Sequence, residues 1–485
     1  MPSQRTPPRH PTRSKTPAYV RAALHRGASW PPRSPCAAAR PGRLGRRAPP
    51  CTAARPDSLT RRMAQPPPSL APMADRLVRP DWVRRLNLMA GSVGGHARDL
   101  VPIDPGDMLD TAAVALGGLP DGDLGDPRWQ ERFETLATAI DASGMHTVGR
   151  LMTKQELLRS LRTRLLLTTT LDRSPEVRDR PVTAPVIVTG PARSGTTILF
   201  ELLALDPGLR APTAAEALHP VAMPEAEAAD DSSLSDPLVL SECEQEIWAD
   251  VQPEFQAVHE LRSDLPVECV TITQGSFCGF HWSMVASLDG WLPDPAVNYA
   301  YERQFLQALQ HGDRATQWLL KTPGHLMLLP LLYAEFGDAW VIQTHRDPAK
   351  TMPSTVSTTA MVQWLRTDDV DVDAMARNIL AVFAAGLNGS IDVRASGMVP
   401  ADRFVDVHFS ELMSDLVSTL RAAYAQMERD FSDSHATAVL DYLAHKPKGK
   451  FGVHRYQPED WGFTAEGLRS ELAPYIDHYG VARED

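Results

Sequence analysis

Cysteine is scarce in this chain. There are five in 485 residues: Cys36, Cys51, Cys243, Cys269 and Cys278. None forms a CxxC pair and the number is odd, which speaks against a disulfide framework or a spaced structural zinc site. A reducing compartment is the expectation, hence a cytoplasmic location. Long apolar runs are also lacking. None approaches the roughly 18 residues of a membrane-spanning helix, so no transmembrane segment is expected. No internal repeat is visible. Acidic residues are nearly missing from the first 62 positions, which hold 14 Lys and Arg but one acid, Asp57. The remaining residues carry a net charge of −24. An acidic body argues against nucleic-acid binding by the folded part.

What is present suffices for a core. Hydrophobic residues are 43% and charged residues 22% of the chain, so whole-chain disorder is excluded. The first 62 residues are the exception, with 12 of the 42 prolines and little apolar periodicity. Residues 1–72 are therefore expected to be a disordered Arg/Pro-rich extension, upstream of a later start at Met63 or Met73. Residues 73–180 read as a helical lead-in. Asp126-Pro127 opens a helix through Trp129, Phe133, Leu136 and Ile140, and a longer helix spans 146–169. Residues 181–485 read as α/β. Four short apolar runs, 185–189, 317–320, 339–344 and 404–409, alternate with helical stretches. That alternation predicts a parallel central sheet flanked by helices.

The first run leads into Gly190-Pro191-Ala192-Arg193-Ser194-Gly195-Thr196-Thr197 and an apolar helix from Ile198. Strand, tight loop and helix start form an anion site, since backbone N–H groups and the helix dipole converge there. The spacing of Gly190 and Gly195 is that of a Walker A loop, GxxxxGK[ST]. Thr196 stands where the lysine for the β- and γ-phosphates would be. That argues against ATP and GTP and suits a compact 5′-linked anion. A P-loop nucleotide kinase or NTPase remains the rival enzyme class, and a non-catalytic binding module the rival outside enzymes.

The segment 191–197 resembles the 5′-phosphosulfate loop of sulfotransferases that use 3′-phosphoadenosine-5′-phosphosulfate (PAPS). Its Arg-Ser-Gly-Thr-Thr form is similar to bacterial members and the tyrosylprotein branch. His345-Arg346-Asp347-Pro348, with Ser354 eight residues beyond Arg346, resembles the family's grip on the cofactor 3′-phosphate. A planar guanidinium and a nearby hydroxyl suit that task. The stretch 448–456 resembles the C-terminal element that closes over this phosphate, through Lys448 and Lys450. Pro447 replaces the arginine of the cytosolic pattern, and Phe409 stands where members often have Tyr.

The resemblance covers residues from about 126 to the C-terminus. It implies PAPS as co-substrate, no metal, and a small-molecule, carbohydrate or lipid acceptor offering a hydroxyl or amine. It implies that Arg193, Ser194, Gly195, Thr196, Thr197, Arg346, Ser354, Lys448 and Lys450 hold the cofactor. Lys321, at the end of the second run, would contact the transferring group. Glu216 lies 23 residues after Arg193, the interval at which carbohydrate and tyrosylprotein members place a catalytic Glu, and is the expected general base. His325, after Lys321-Thr322, is its closest rival, ahead of His259 and His281. Trp248, Phe255, Phe277, Phe280, Trp282 and Trp291 form an aromatic-rich stretch that reads first as core.

Overall fold

The computed structural model describes residues 70–92, 94–221, 236–310, 317–446, 454 and 456–484. Most of the N-terminal extension, and both Lys448 and Lys450, lie outside the described residues. Five parallel strands form one sheet: β1 (Val186–Thr189), β2 (Leu209–Arg210), β3 (Gln317–Lys321), β4 (Trp340–His345) and β5 (Phe404–His408). The spatial order is β2-β3-β1-β4-β5. Ile187 faces Leu320 on one side and Val341 on the other, and Ile342 faces Val405. The four apolar runs thus become β1, β3, β4 and β5, each within a residue or two of its expected bounds. The two-residue β2 has no run of its own and is seen only in the structure.

Each strand of the centre is buried throughout, because helices cover both faces. Alternate side chains point to opposite faces. Val186 and Val188 pack in one cluster with Leu199, Phe200 and Leu203, while Ile187 packs in another with Trp318, Leu320 and Val341. The helices used below are α1 (Trp129–Ala142), α2 (Thr147–Arg173), α3 (Thr196–Leu203), α4 (Ala214–Leu218), α5 (Cys269–Ile272), α6 (Pro295–Leu309) and α7 (Pro348–Trp364). Phe133, Leu136 and Ile140 of α1 and Leu157, Leu161 and Leu165 of α2 join a third cluster with Val356, Ala360 and Trp364 of α7. Among the described residues no helix is long and apolar enough to cross a membrane.

The order of strands sets the site. β1 has β3 on one side and β4 on the other, so the chain leaves β1 into a crevice at the carboxyl edge of the sheet. Open α/β sheets bind ligands at such a switch point. Lys321 closes β3 and Arg346 follows β4, which puts one cation on each flank of the β1 loop.

Candidate active site

The β1 loop is held in an unusual backbone path. Gly190 has φ +138°, and a Cβ there would lie 2.2 Å from Thr344 Oγ1 and 2.6 Å from the Thr344 carbonyl. No other residue fits. Arg193 itself has φ +66°, a left-handed conformation costly for a residue with a Cβ. Gly195, at φ +91°, caps α3. Ser194 is fully buried. Its hydroxyl donates to the Pro191 carbonyl and meets Thr344 Oγ1. The Ser194 side chain therefore anchors the loop to β4, and only its backbone is left for an anion. Thr196 and Thr197 form the first turn of α3, where free N–H groups and the positive end of the dipole face outward.

On one flank, Lys321 is 2% exposed. Its ammonium donates to Thr197 Oγ1 over 3.3 Å and forms an ion pair with the Glu268 carboxylate. Thr322 Oγ1 also donates to Glu268, over 3.4 Å. Burial pushes the Glu268 carboxyl up, but Lys321, His259 and Thr322 outweigh it and hold it below its ordinary range. Burial takes His259 down; Glu268 opposes this, while Lys321 and Arg193 add to it, leaving its pKa at about 4. His259 is thus a neutral imidazole at pH 7, within the field of both Lys321 and Arg193.

On the other flank, Arg346 Nη1 donates to the Arg193 carbonyl over 2.7 Å. Nε and Nη2 donate to the two carboxylate oxygens of Glu484, over 2.8 and 2.9 Å. The guanidinium lies 3.7 Å above the Phe409 ring. Phe409 therefore supports Arg346 by a cation–π contact. Asp347 caps α7 through the Ala349 N–H and is clasped by Arg469. Ser354, two turns into α7, is fully buried, and its hydroxyl has no hydrogen-bond partner among the described residues. An unpartnered buried hydroxyl is unfavourable by about 1–3 kcal/mol, and a ligand oxygen would relieve it. From the C-terminal element, His454 Nε2 lies 2.9 Å from Ser357 Oγ on α7.

Glu216 is held by other partners. It starts α4 in a capping box: the Thr213 N–H donates to its carboxylate over 3.0 Å, and its own N–H donates to Thr213 Oγ1 over 3.3 Å. Arg210 holds the same carboxylate. Its partners are thus Thr213 and Arg210, just upstream on its own stretch of chain. His325 is turned into the core, with Nδ1 2.8 Å from Tyr299 Oη and Nε2 3.4 Å from Cys269 Sγ. His281 is buried beside Glu156. Lys321, Arg193, the loop and Arg346 are brought together. Glu268, which sequence reasoning did not single out, joins Lys321 from 53 positions away; no local spacing marks it.

A model of the sulfotransferase family matches residues 185–433. This chain belongs to the sulfotransferase family. Among solved structures, it is 26% identical to sulfotransferase STF9 from Mycobacterium avium, with 78% of this chain and 97% of that one covered and a TM-score of 0.67. Sulfotransferase STF1 from Mycobacterium tuberculosis H37Rv shares the fold at 24% identity, covering 76% of this chain and 98% of that one, with a TM-score of 0.60. No curated protein matches. The matched span of the family model contains the loop, Lys321, Arg346 and Ser354. The rival reading as a nucleotide kinase or NTPase is not favoured.

Proposed function

We propose that this sulfotransferase moves the sulfuryl group of PAPS to a hydroxyl or amine of a small-molecule, carbohydrate or lipid acceptor, in the cytoplasm. The observation that carries the reading is the pairing of two anion grips along one sheet edge. The 190–197 loop suits a 5′-phosphosulfate, and Arg346 with the unpartnered Ser354 hydroxyl suits a 3′-phosphate. The Arg346–Arg193 bond couples them. Lys448 and Lys450 are proposed to add charge at the 3′-phosphate.

In this reading PAPS supplies an activated S–O bond. The acceptor oxygen or nitrogen forms a new bond to sulfur, the bond from sulfur to the 5′-phosphate oxygen breaks, and adenosine 3′,5′-bisphosphate departs. The chain's part is to hold the ends in line, to place Lys321 and the α3 N-terminus against charge developing on the leaving oxygens, and to take one proton. Glu216 is the base on the strength of its interval from the loop; it would have to exchange Arg210 for the acceptor. A second reading has a specific observation behind it. Glu268 already touches Lys321. When the ammonium turns to the transferring group, the carboxylate is freed beside it and can accept the proton.

The test is turnover of labelled PAPS against a panel of alcohols, phenols and amines, together with binding of adenosine 3′,5′-bisphosphate in the presence of chelator. Sulfated product and metal-independent binding support the reading. Binding of ATP with magnesium in preference to the bisphosphate would overturn it.

A further inference from the structure

Behind the Lys321 flank lies a second cluster that the sulfuryl reading does not use. Cys269 begins α5, Glu302 lies in α6, and His325 lies in the turn after β3. All three are buried, at 2%, 0% and 3% exposure. One donor atom from each lies within 4.8 Å of the others. Among the described residues, neither buried Glu302 carboxylate oxygen has a nitrogen or oxygen donor, no arginine or lysine forms an ion pair with it, and its polar neighbour is the Cys269 thiol. A carboxylate sealed in the core with no cation, and only the Cys269 thiol as a donor beside it, is disfavoured as the anion. A cation beside it would compensate the carboxylate.

We propose that Cys269, Glu302 and His325 form a site for a divalent transition-metal ion of the zinc type. The donor set points there: one thiolate, one imidazole and one carboxylate suit zinc or cobalt, whereas magnesium and calcium take oxygen ligands. The spacing agrees. Tetrahedral zinc, with bonds of about 2.3 Å to sulfur and about 2.0 Å to nitrogen, sets those two atoms about 3.5 Å apart. His325 Nε2 and Cys269 Sγ are 3.4 Å apart. The outer partner is also in place. With its Nδ1–H donated to Tyr299 Oη, 2.8 Å away, His325 presents the Nε2 lone pair to the ion, as metal-bound histidines do. Charges balance, since a thiolate and a carboxylate neutralise a dication.

The ion would act as a structural tie. Glu268, the partner of Lys321, is the residue that caps α5, and His325 lies four residues beyond Lys321. Metal at the cluster would pin both segments from behind. This inference stands on the cluster alone and does not depend on the identity of the sulfuryl donor.

The test uses the full chain. Metal content is measured in protein from zinc-supplemented cells, and chelator-stripped protein is then titrated with cobalt(II). The expected results are one zinc per folded chain and one equivalent of cobalt with a thiolate-to-metal charge-transfer band. Cys269→Ser should lose that band, and Glu302→Gln should weaken cobalt binding by about tenfold or more. If Cys269→Ser does not fold, Glu302→Gln decides by the same titration. Wild-type protein that is folded yet takes up neither metal overturns the proposal. So does a cobalt spectrum or affinity unchanged in the folded variants; the cluster is then an acid kept protonated in the core. Loss of cobalt binding with intact binding of adenosine 3′,5′-bisphosphate would separate this site from the active site.

Discussion

The two flanks of the cleft are built in contrasting ways. The anion side is assembled from short contiguous motifs at strand ends: Gly190–Thr197 after β1, and Arg346 to Ser354 after β4. Its geometry is enforced locally, by positive φ at Gly190 and Arg193 and by a capped helix at each motif. The Lys321 side is assembled from afar. Lys321 comes from β3, Glu268 from the cap of a helix far upstream, and His259 from the loop before it. Ligands of constant shape can be held by a fixed motif. The flank of Gly190 and Arg346 can thus be read from order along the chain, while the Lys321 flank is settled by contact.

The sharpest way to break this comparison is to remove each carboxylate in turn. General bases contribute typically 10²–10⁴-fold, so Glu216→Gln should lower kcat by about that factor, with little change in affinity for adenosine 3′,5′-bisphosphate. Glu268→Gln should cost less than tenfold if its work is to hold Lys321. A dead Glu268→Gln beside a near-normal Glu216→Gln would move the base to Glu268. Lys321→Ala should also lower kcat strongly, through lost charge stabilisation.

On the anion flank the effects should appear in binding. Ser354→Ala removes a hydroxyl that would donate to a charged phosphate, an interaction worth about 1.5–3 kcal/mol. Affinity for the bisphosphate should drop about tenfold or more in calorimetry, with adenosine 5′-phosphate unaffected. An equal loss for both nucleotides would place Ser354 elsewhere than at the 3′ end.

Glu484 provides a smaller effect of opposite sign. Its carboxylate occupies the Arg346 fork, so a phosphate bound there would have to displace it. Such partly exposed pairs contribute about 0–1 kcal/mol. Glu484→Gln should therefore tighten bisphosphate binding by up to about fivefold, and weaker binding would show that Glu484 supports the grip.

Stability against pH adds a quieter signature. His146, His259 and His454 are each pushed down to about 4, chiefly by burial. The unfolded chain takes up these protons near pH 6.5, the folded chain only near 4. Stability should therefore fall as pH is lowered through that window. A melting temperature that rises from pH 6.5 to 4 would contradict neutral imidazoles at these positions.

Much of the fold was legible because buried parallel strands announce themselves as continuous apolar runs. The 185–189 and 339–344 runs became β1 and β4 nearly residue for residue. β2 was not legible, since Leu209–Arg210 is too short to form a pattern. Within the site, the loop could be read because Gly190 and Gly195 answer a backbone need that spacing records. Glu268 could not, because its link to Lys321 is made only when α5 packs beside β3. The cluster of Cys269, Glu302 and His325 was hidden for the same reason: its members come from three separate elements, with none of the short spacings that mark metal sites in a sequence.

The central claim is that one sheet edge holds a 3′,5′-bisphosphate by two coupled grips. The most direct measurement is calorimetric binding of adenosine 3′,5′-bisphosphate and adenosine 5′-phosphate, with chelator, to the wild type and to Arg346→Ala. The account predicts that the wild type prefers the bisphosphate and that Arg346→Ala loses about tenfold to hundredfold of that preference. Equal affinity of the wild type for the two nucleotides would contradict it.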